Sequence, residues 1–127
     1  MKYVVTGGAG FIGSNIVRLL LKLNHEVKVI DNLHSGKIEN LADIKNEIEF
    51  ENVDIRNFEK MELSLKNVDG IFHEAALTSV PESFKKSQEY YDVNVLSTKN
   101  IFKIANKENI RGIFASSSSV YGDIKKT

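Results

Sequence analysis

Four groups of residues in this 127-residue sequence have the types and spacing to do chemistry. The first is Gly7-Gly8-Ala9-Gly10-Phe11-Ile12-Gly13, where Gly8, Gly10 and Gly13 fit G-x-G-x-x-G and Gly7, Gly10 and Gly13 fit G-x-x-G-x-x-G. Glycines so placed permit backbone angles that a Cβ opposes, and they let a pyrophosphate approach backbone N–H groups closely. Tight turns that bind nothing show the same pattern, so the flanking elements decide. The second is Asp31, where a carboxylate can accept hydrogen bonds from a ribose diol and repel a 2′-phosphate; the plain alternative is a helix cap or solvated turn. The third is His73, a histidine at the end of an apolar run and more often a satisfied core residue than a catalyst. The fourth is Ser116-Ser117-Ser118-Ser119, four hydroxyls directly after a β-rich run.

The elements around them follow from periodicity. Lys2–Thr6 is a β-rich run that ends at Gly7, and from Phe11 the apolar residues take helical spacing, with Ile12, Ile16, Leu19, Leu20 and Leu23 on one face. Glu26–Asp31 reads as a second strand. A polar loop, 32–37, precedes a short helix carrying Ile38, Leu41 and Ile44. Ile48–Val53 alternates as a third strand near an edge, and Phe58, Met61, Leu63 and Leu65 mark a weak helix. Val68–His73 is a fourth strand. A long helix is expected over 84–106 with Tyr91, Val95, Thr98, Phe102 and Ala105 on one side, and Gly112–Ala115 is a fifth strand. Alternation of strand and helix predicts an α/β fold, a doubly wound parallel sheet of the Rossmann type with five strands in the order 3-2-1-4-5 and helices on both faces. The glycine turn then lies between a strand and a helix, the setting in which it binds a dinucleotide.

Composition narrows the function. Seventeen basic and seventeen acidic residues balance, so the electrostatic footprint of a nucleic-acid binder is missing. The absence of cysteine removes disulfides, thiolate metal sites and cysteine nucleophiles, and no metal site is expected. Hydrophobic residues at 42% and charged residues at 27% fit a soluble globular chain, and no apolar run approaches a membrane span. The glycine cluster follows the start so closely that no signal peptide is expected, which makes a cytoplasmic address the default.

Taken in order, these residues resemble the NAD-dependent nucleotide-sugar epimerases and dehydratases, a branch of the extended short-chain dehydrogenase/reductase proteins. Thr6–Asn15 resembles their opening turn, and Asp31-Asn32-Leu33-His34-Ser35-Gly36-Lys37 is similar to their adenosine loop. Asp54-Ile55-Arg56-Asn57 resembles the third-strand exit that meets adenine. The stretch His73–Val80 is similar to the fourth-strand motif beside the pyrophosphate and nicotinamide ribose. Tyr91–Val95 resembles the helix motif whose asparagine supports the active-site backbone, and Ser116–Asp123 the fifth-strand motif with the catalytic serine. The resemblance implies NAD held by Gly7, Gly10, Phe11, Ile12, Gly13, Asp31, Asn32, Leu33, His34, Ser35, Gly36, Asp54 and Ile55. On its nicotinamide side it implies Ala75, Ala76, Thr78 and Asn94. It further implies a nucleotide-sugar substrate, a UDP-hexose, near Ser79, Ser118 and Ser119, and a homodimeric intact protein.

The motifs are closest to the UDP-glucose 4-epimerase branch. There the catalytic serine or threonine stands four places before the tyrosine of Val-Tyr-Gly, which is Ser117 ahead of Tyr121. Dehydratases and decarboxylases of the family carry acidic residues between those positions, and this chain has Ser118 and Ser119. The implied reaction is epimerisation at C4 of a nucleotide sugar through a transient 4-keto sugar, with a 4,6-dehydratase or decarboxylase and a non-catalytic NAD-binding module as alternatives. The family's Tyr-x-x-x-Lys pair falls on the next helix. Tyr121 and Lys125 match its spacing, but Tyr121 already occupies the Val-Tyr-Gly position. The sequence is therefore read as the N-terminal, cofactor-binding portion of an epimerase, inactive by itself.

Overall fold

A computed structural model describes residues 1–122; Lys125 of the Tyr-x-x-x-Lys match lies outside them. Five parallel strands, β1 (Lys2–Thr6), β2 (Glu26–Asp31), β3 (Ile48–Asn52), β4 (Gly70–His73) and β5 (Arg111–Phe114), form one sheet in the order β3-β2-β1-β4-β5. The helices are α1 (Phe11–Lys22), α2 (Phe58–Ser64), α3 (Val80–Lys85), α4 (Ser87–Tyr91) and α5 (Thr98–Lys107), with a π-helical segment at Asp92–Ser97 between the last two. The expected doubly wound order is present, and each strand lies within two residues of its expected span.

Strand alternation sends side chains into two cores. Val4, Ile30 and Ile71 meet Met61 and Leu65 at α2 and Ile101, Ile104 and Ala105 of α5. Val5, Val27 and Val29 face the other way, against Val17 and Leu20 of α1 and Leu41 and Ile44. β3 lies at an edge, with Ile48 and Phe50 packed against the second core. Its alternate residues Glu49 and Glu51 hold Lys28 at 3.1 and 2.7 Å, and Glu49 also holds Lys2. Two carboxylates thus accompany the buried lysine, as a charge taken out of water requires.

Two helix faces differ from the expected ones. On α1 the buried residues are Gly13, Ser14, Val17 and Leu20, whereas Ile12, Leu19 and Leu23 are 58%, 57% and 56% exposed. Close approach decides this. A Cβ on Gly13 would stand 2.2 Å from the Gly7 carbonyl oxygen, so the helix comes nearest the sheet through its smallest residues. Counting large apolar residues selects the wrong stripe.

The long helix begins earlier than expected, at Val80, and is interrupted at Lys86. Its π-helical segment carries more residues per turn, which rotates the face that follows. Ser97, Ile101, Ile104 and Ala105 are consequently buried, while Tyr91 and Val95 remain exposed.

His73 bridges β4 to β1 and α5. Its Nδ1 lies 2.7 Å from Thr6 Oγ1 on β1 and its Nε2 lies 2.9 Å from Thr98 Oγ1 on α5. The ring is 1% exposed and packs near Phe102 and Phe114. It is a satisfied core histidine.

Burial holds His73 down at about 4, against 6.5 when exposed. Well above pH 6.5 it is neutral in both folded and unfolded chains and contributes no pH dependence. Between about 6.5 and 4 the unfolded chain binds the proton and the folded chain does not, so stability falls as pH falls, by about 3 kcal/mol in all. Urea midpoints measured from pH 7.5 to 4.5 should therefore drop more steeply for this protein than for His73→Gln. Parallel curves would show that the ring protonates without penalty. A second outcome concerns the α1 contact: Gly13→Ala should lose at least about 2 kcal/mol, because the methyl overlaps backbone that cannot rotate away. Thermal unfolding of the two chains measures it.

Candidate functional site

The carboxyl ends of β1, β2, β3 and β4 open onto one cleft of about 360 Å³. That is the crevice where doubly wound sheets bind their ligands, and its size suits a small molecule. Gly7, Gly10, Phe11, Ile12 and Gly13 form its floor. Gly7 has φ +67°, and a Cβ there would lie 2.8 Å from the Ala75 backbone nitrogen. The glycines are thus first a packing requirement, which brings the start of α1 against β1 and the exit of β4.

What α1 presents at that floor is chemically specific. Its N-cap is Gly10, with no side-chain cap and no acidic residue in the first turn. The N–H groups at a helix start need acceptors, and the helix dipole adds positive potential behind them. An uncapped start facing a cleft fits an anion, above all a pyrophosphate.

Asp31 is 8% exposed and lines the same cleft. Its Oδ2 accepts from the Ala9 N–H at 2.9 Å, and its Oδ1 accepts from the Leu33 N–H at 2.8 Å. The carboxylate therefore clasps the glycine turn to the loop after β2. A carboxylate offers about four lone-pair sites, so about two stay open, one on each oxygen. Two acceptors side by side match the two hydroxyls of a ribose diol. Ala9 is gripped on its other side too, its carbonyl accepting from the Lys37 N–H at 3.0 Å and from Asn40 Nδ2 at 2.8 Å.

His34, Ser35 and Gly36 also line the cleft. Leu33 does not: at φ +58° it turns its side chain toward the α1-side core, and only its backbone joins the site. Asn32 lines the cleft and donates through Nδ2 to Asp54 Oδ2 at 3.1 Å, tying the β2 and β3 exits together. Asp54 also takes Arg56 in a bidentate grip, Nε to Oδ1 at 2.9 Å and Nη2 to Oδ2 at 2.6 Å, and the Arg56 N–H to Oδ1 at 2.9 Å. The Arg56 guanidinium, against some burial, holds the Asp54 carboxyl down at about 2. Arg56 Nη1 lies 3.7 Å from Glu89 of α4.

At the β4 exit Ala75, Ala76 and Thr78 line the cleft. Asn94 stands behind that wall: Oδ1 accepts from the Leu77 N–H and Nδ2 donates to the Leu77 carbonyl, both at 2.8 Å. It braces backbone. Ser79 is the N-cap of α3 and exposed. Ser117, Ser118 and Ser119 are exposed, with Ser118–Tyr121 in a 3₁₀ turn, and none of the three lines the cleft. The structure thus brings the glycine turn, Asp31, Asn32, His34 to Gly36, Asp54, Ile55 and the β4 exit together, and leaves the serines apart.

Sequence reasoning missed Ile30, Val53, Arg56, Glu74, Leu77, Glu89 and Val93, all of which line the cleft. Arg56 and Val53 flank the recognised Asp54-Ile55 and were legible by proximity. Glu89 carried no signal, because only the seating of α4 brings it to the cleft, whereas Val93 lies within the recognised Tyr91–Val95 motif. Glu74 lies within the recognised fourth-strand motif, and burial raises its carboxyl above the ordinary range.

Comparison with known proteins agrees with this geometry. Residues 3–127 match the model of the NAD dependent epimerase/dehydratase family. The chain is 39% identical to a UDP-glucose 4-epimerase of Klebsiella pneumoniae, over 99% of this chain and 96% of that sequence. Among solved structures it is similar to the UDP-N-acetylglucosamine 4-epimerase of Methanobrevibacter ruminantium in complex with UDP-N-acetylmuramic acid, with a TM-score of 0.90 and 40% identity over 98% of this chain. The dTDP-glucose 4,6-dehydratase DesIV of Streptomyces venezuelae, solved with NAD bound, superposes with a TM-score of 0.91 and 34% identity over 100% of this chain. The chain spans 40% and 42% of those two solved chains. From its glycine turn to its fifth strand, it belongs to the NAD dependent epimerase/dehydratase family.

Proposed function

We propose that this chain is the NAD-binding part of a nucleotide-sugar 4-epimerase acting on a UDP-hexose. One observation carries the cofactor assignment: an uncapped helix start behind a glycine turn shares a cleft with an aspartate whose two oxygens each keep an acceptor site. The start of α1 would hold the pyrophosphate, and Asp31 the adenosine ribose diol. The base would then lie beyond Asp31, where Val53, Ile55 and Val93 supply apolar walls. Ala75, Ala76 and Thr78 would flank the nicotinamide ribose, with Asn94 keeping that backbone in place. The nicotinamide, when bound, supplies hydride acceptance and return at the sugar C4. Ser117 would hydrogen-bond the C4 oxygen and relay its proton, with Ser79, Ser118 and Ser119 beside the sugar.

Serines at 118 and 119 favour epimerase over dehydratase or decarboxylase, because those branches carry acidic residues there, which in the dehydratases serve the elimination of water. Ser117 lies outside the cleft lining, and no tyrosine lines the cleft among the described residues. The 127-residue chain alone should therefore bind the ADP half of NAD without sugar chemistry. Loss of a general base alone removes roughly 10²–10⁴-fold in rate. Incubation with NAD and UDP-glucose should yield no UDP-galactose, while ADP-ribose binds by calorimetry. Absence of ADP-ribose binding would remove the cofactor assignment, and turnover would show that Tyr121 and Lys125 act as a pair.

Cofactor choice gives an independent check. The Asp31 carboxylate should make NAD bind at least about tenfold more tightly than NADP, since a 2′-phosphate would face it directly. Asp31→Ala should weaken both, because the Ala9 clasp goes with it, and should narrow the ratio. Equal affinities in the unmutated chain would sink the role given to Asp31.

A further inference from the structure

Charge in the cleft does not balance: Asp31, Asp54, Glu74 and Glu89 line it against the single guanidinium of Arg56. Three of these carboxylates have company. Asp31 accepts two backbone N–H groups, Asp54 holds Arg56 and Asn32, and Glu89 has Arg56 Nη1 at 3.7 Å and Lys86 Nζ at 3.9 Å. Glu74 has no donor and no cation among the described residues, and since no deeply buried side-chain oxygen lacks a partner there, its oxygens face open space. Its backbone fixes where it stands. The Glu74 N–H donates to the Thr6 carbonyl at 3.2 Å, and its carbonyl carbon lies 2.9 Å from where a Cβ on Gly7 would sit. Glu74 thus abuts the glycine turn, beside the uncapped start of α1. Burial already raises its carboxyl, with no partner to offset the effect. The other charged or titratable groups on its sides are His34 across the cleft, His73 in its buried neutral network, Glu82 of α3 paired with Lys86, and Arg18 of α1 held by Asp43.

We propose that Glu74 sets the charge the cleft accepts: its unpaired carboxylate opposes an anion bound at the start of α1, and it takes up a proton from solvent as that anion binds. This rests on the dinucleotide reading of the cleft. The Glu74 and Gly7 backbones are in contact, so a diphosphate over the glycine turn and the Glu74 carboxylate stand within about one screening length of physiological salt. Protonation removes the repulsion and turns an acceptor-only group into one with an O–H to donate. The carboxyl then holds its proton more tightly in the complex than in the free chain. Affinity is therefore highest at low pH and is lost as pH rises through the range in which free Glu74 gives up its proton.

Calorimetry with ADP-ribose tests this, because both of its phosphates are diesters and keep their charge across the pH range used. Binding to the unmutated chain at about pH 5.5, measured in two buffers of different ionisation heat, should show net proton uptake. Affinity should fall at least about threefold from pH 5.5 to 7.5. Glu74→Gln, a neutral mimic of the protonated acid, should abolish the uptake and flatten the profile. It should also bind ADP-ribose at least about threefold more tightly than the unmutated chain at pH 7.5. A merely structural role for Glu74 would weaken binding instead. Absence of uptake by the unmutated chain overturns the proposal, and that measurement depends on no variant. Uptake that survives Glu74→Gln, or a variant that binds no more tightly at pH 7.5, overturns it as well while leaving the dinucleotide site standing. Failure of the unmutated chain to bind ADP-ribose at any pH removes the dinucleotide reading itself, and this inference with it.

Discussion

The clasp between Asp31 and the Ala9 N–H is the contact on which the cleft depends. Ala9 is fully buried at the apex of the glycine turn, and a buried backbone N–H without a partner would cost about 1–3 kcal/mol. Asp31 meets that need from the next strand. In doing so it fixes how far the start of α1 stands from the end of β2, the gap that a ribose and pyrophosphate would bridge on the proposed reading. Its second oxygen turns the following loop by binding the Leu33 N–H, which lets Leu33 adopt a left-handed backbone and drop its side chain into the core. One carboxylate thus sets the shape of the site before any ligand arrives. On the proposed reading, ligand recognition would draw on the lone pairs that the loop architecture leaves open.

The glycine turn is constrained from the opposite side by packing. Gly13 lies so close to Gly7 and Gly8 that it admits no Cβ, and Gly7 admits none because it abuts the backbone of Glu74 and Ala75 at the β4 exit. Positive potential at the α1 start is useful only if a ligand can reach it, and reach requires that the helix begin flush with the strand ends. The exposed Ile12, Leu19 and Leu23 follow from this arrangement. The helix spends its small residues on the sheet and turns large ones outward.

This explains what the sequence could and could not disclose. Strands were legible because the inner ones run as short apolar stretches, as buried parallel strands do, and the edge strand β3 as a clean alternation. The position of the glycine turn, Asp31 and Asp54-Ile55 at the cleft was legible because local spacing puts them at strand ends. Helix faces were misread where backbone proximity or a π-helical turn outweighed side-chain size, on α1 and across 91–105. Glu89 reaches the cleft only through the packing of α4, a tertiary fact with no local pattern. Ser117 to Ser119 show the converse: a clear motif whose residues stand away from the cleft among the described residues.

The wall opposite Asp31 is held by a different kind of device, a relay of neutral hydrogen bonds. Thr6 Oγ1 accepts from the Ala75 N–H at 3.3 Å and also meets His73 Nδ1, while His73 Nε2 meets Thr98 Oγ1. A neutral imidazole has one donor and one acceptor, and a threonine hydroxyl has one hydrogen and two lone pairs. Thr6 can therefore accept from Ala75 and donate to Nδ1, leaving the Nε2 hydrogen for Thr98. Every group is then satisfied without a charge. Protonating the ring would make both nitrogens donors and force the Thr6 hydroxyl hydrogen to seek another acceptor in a buried setting. The neutral His73 ring and the position of Ala75 at the cleft thus belong to one network. Because Ala75 is also the backbone against which Gly7 packs, that network joins the glycine turn to α5 through a single buried ring.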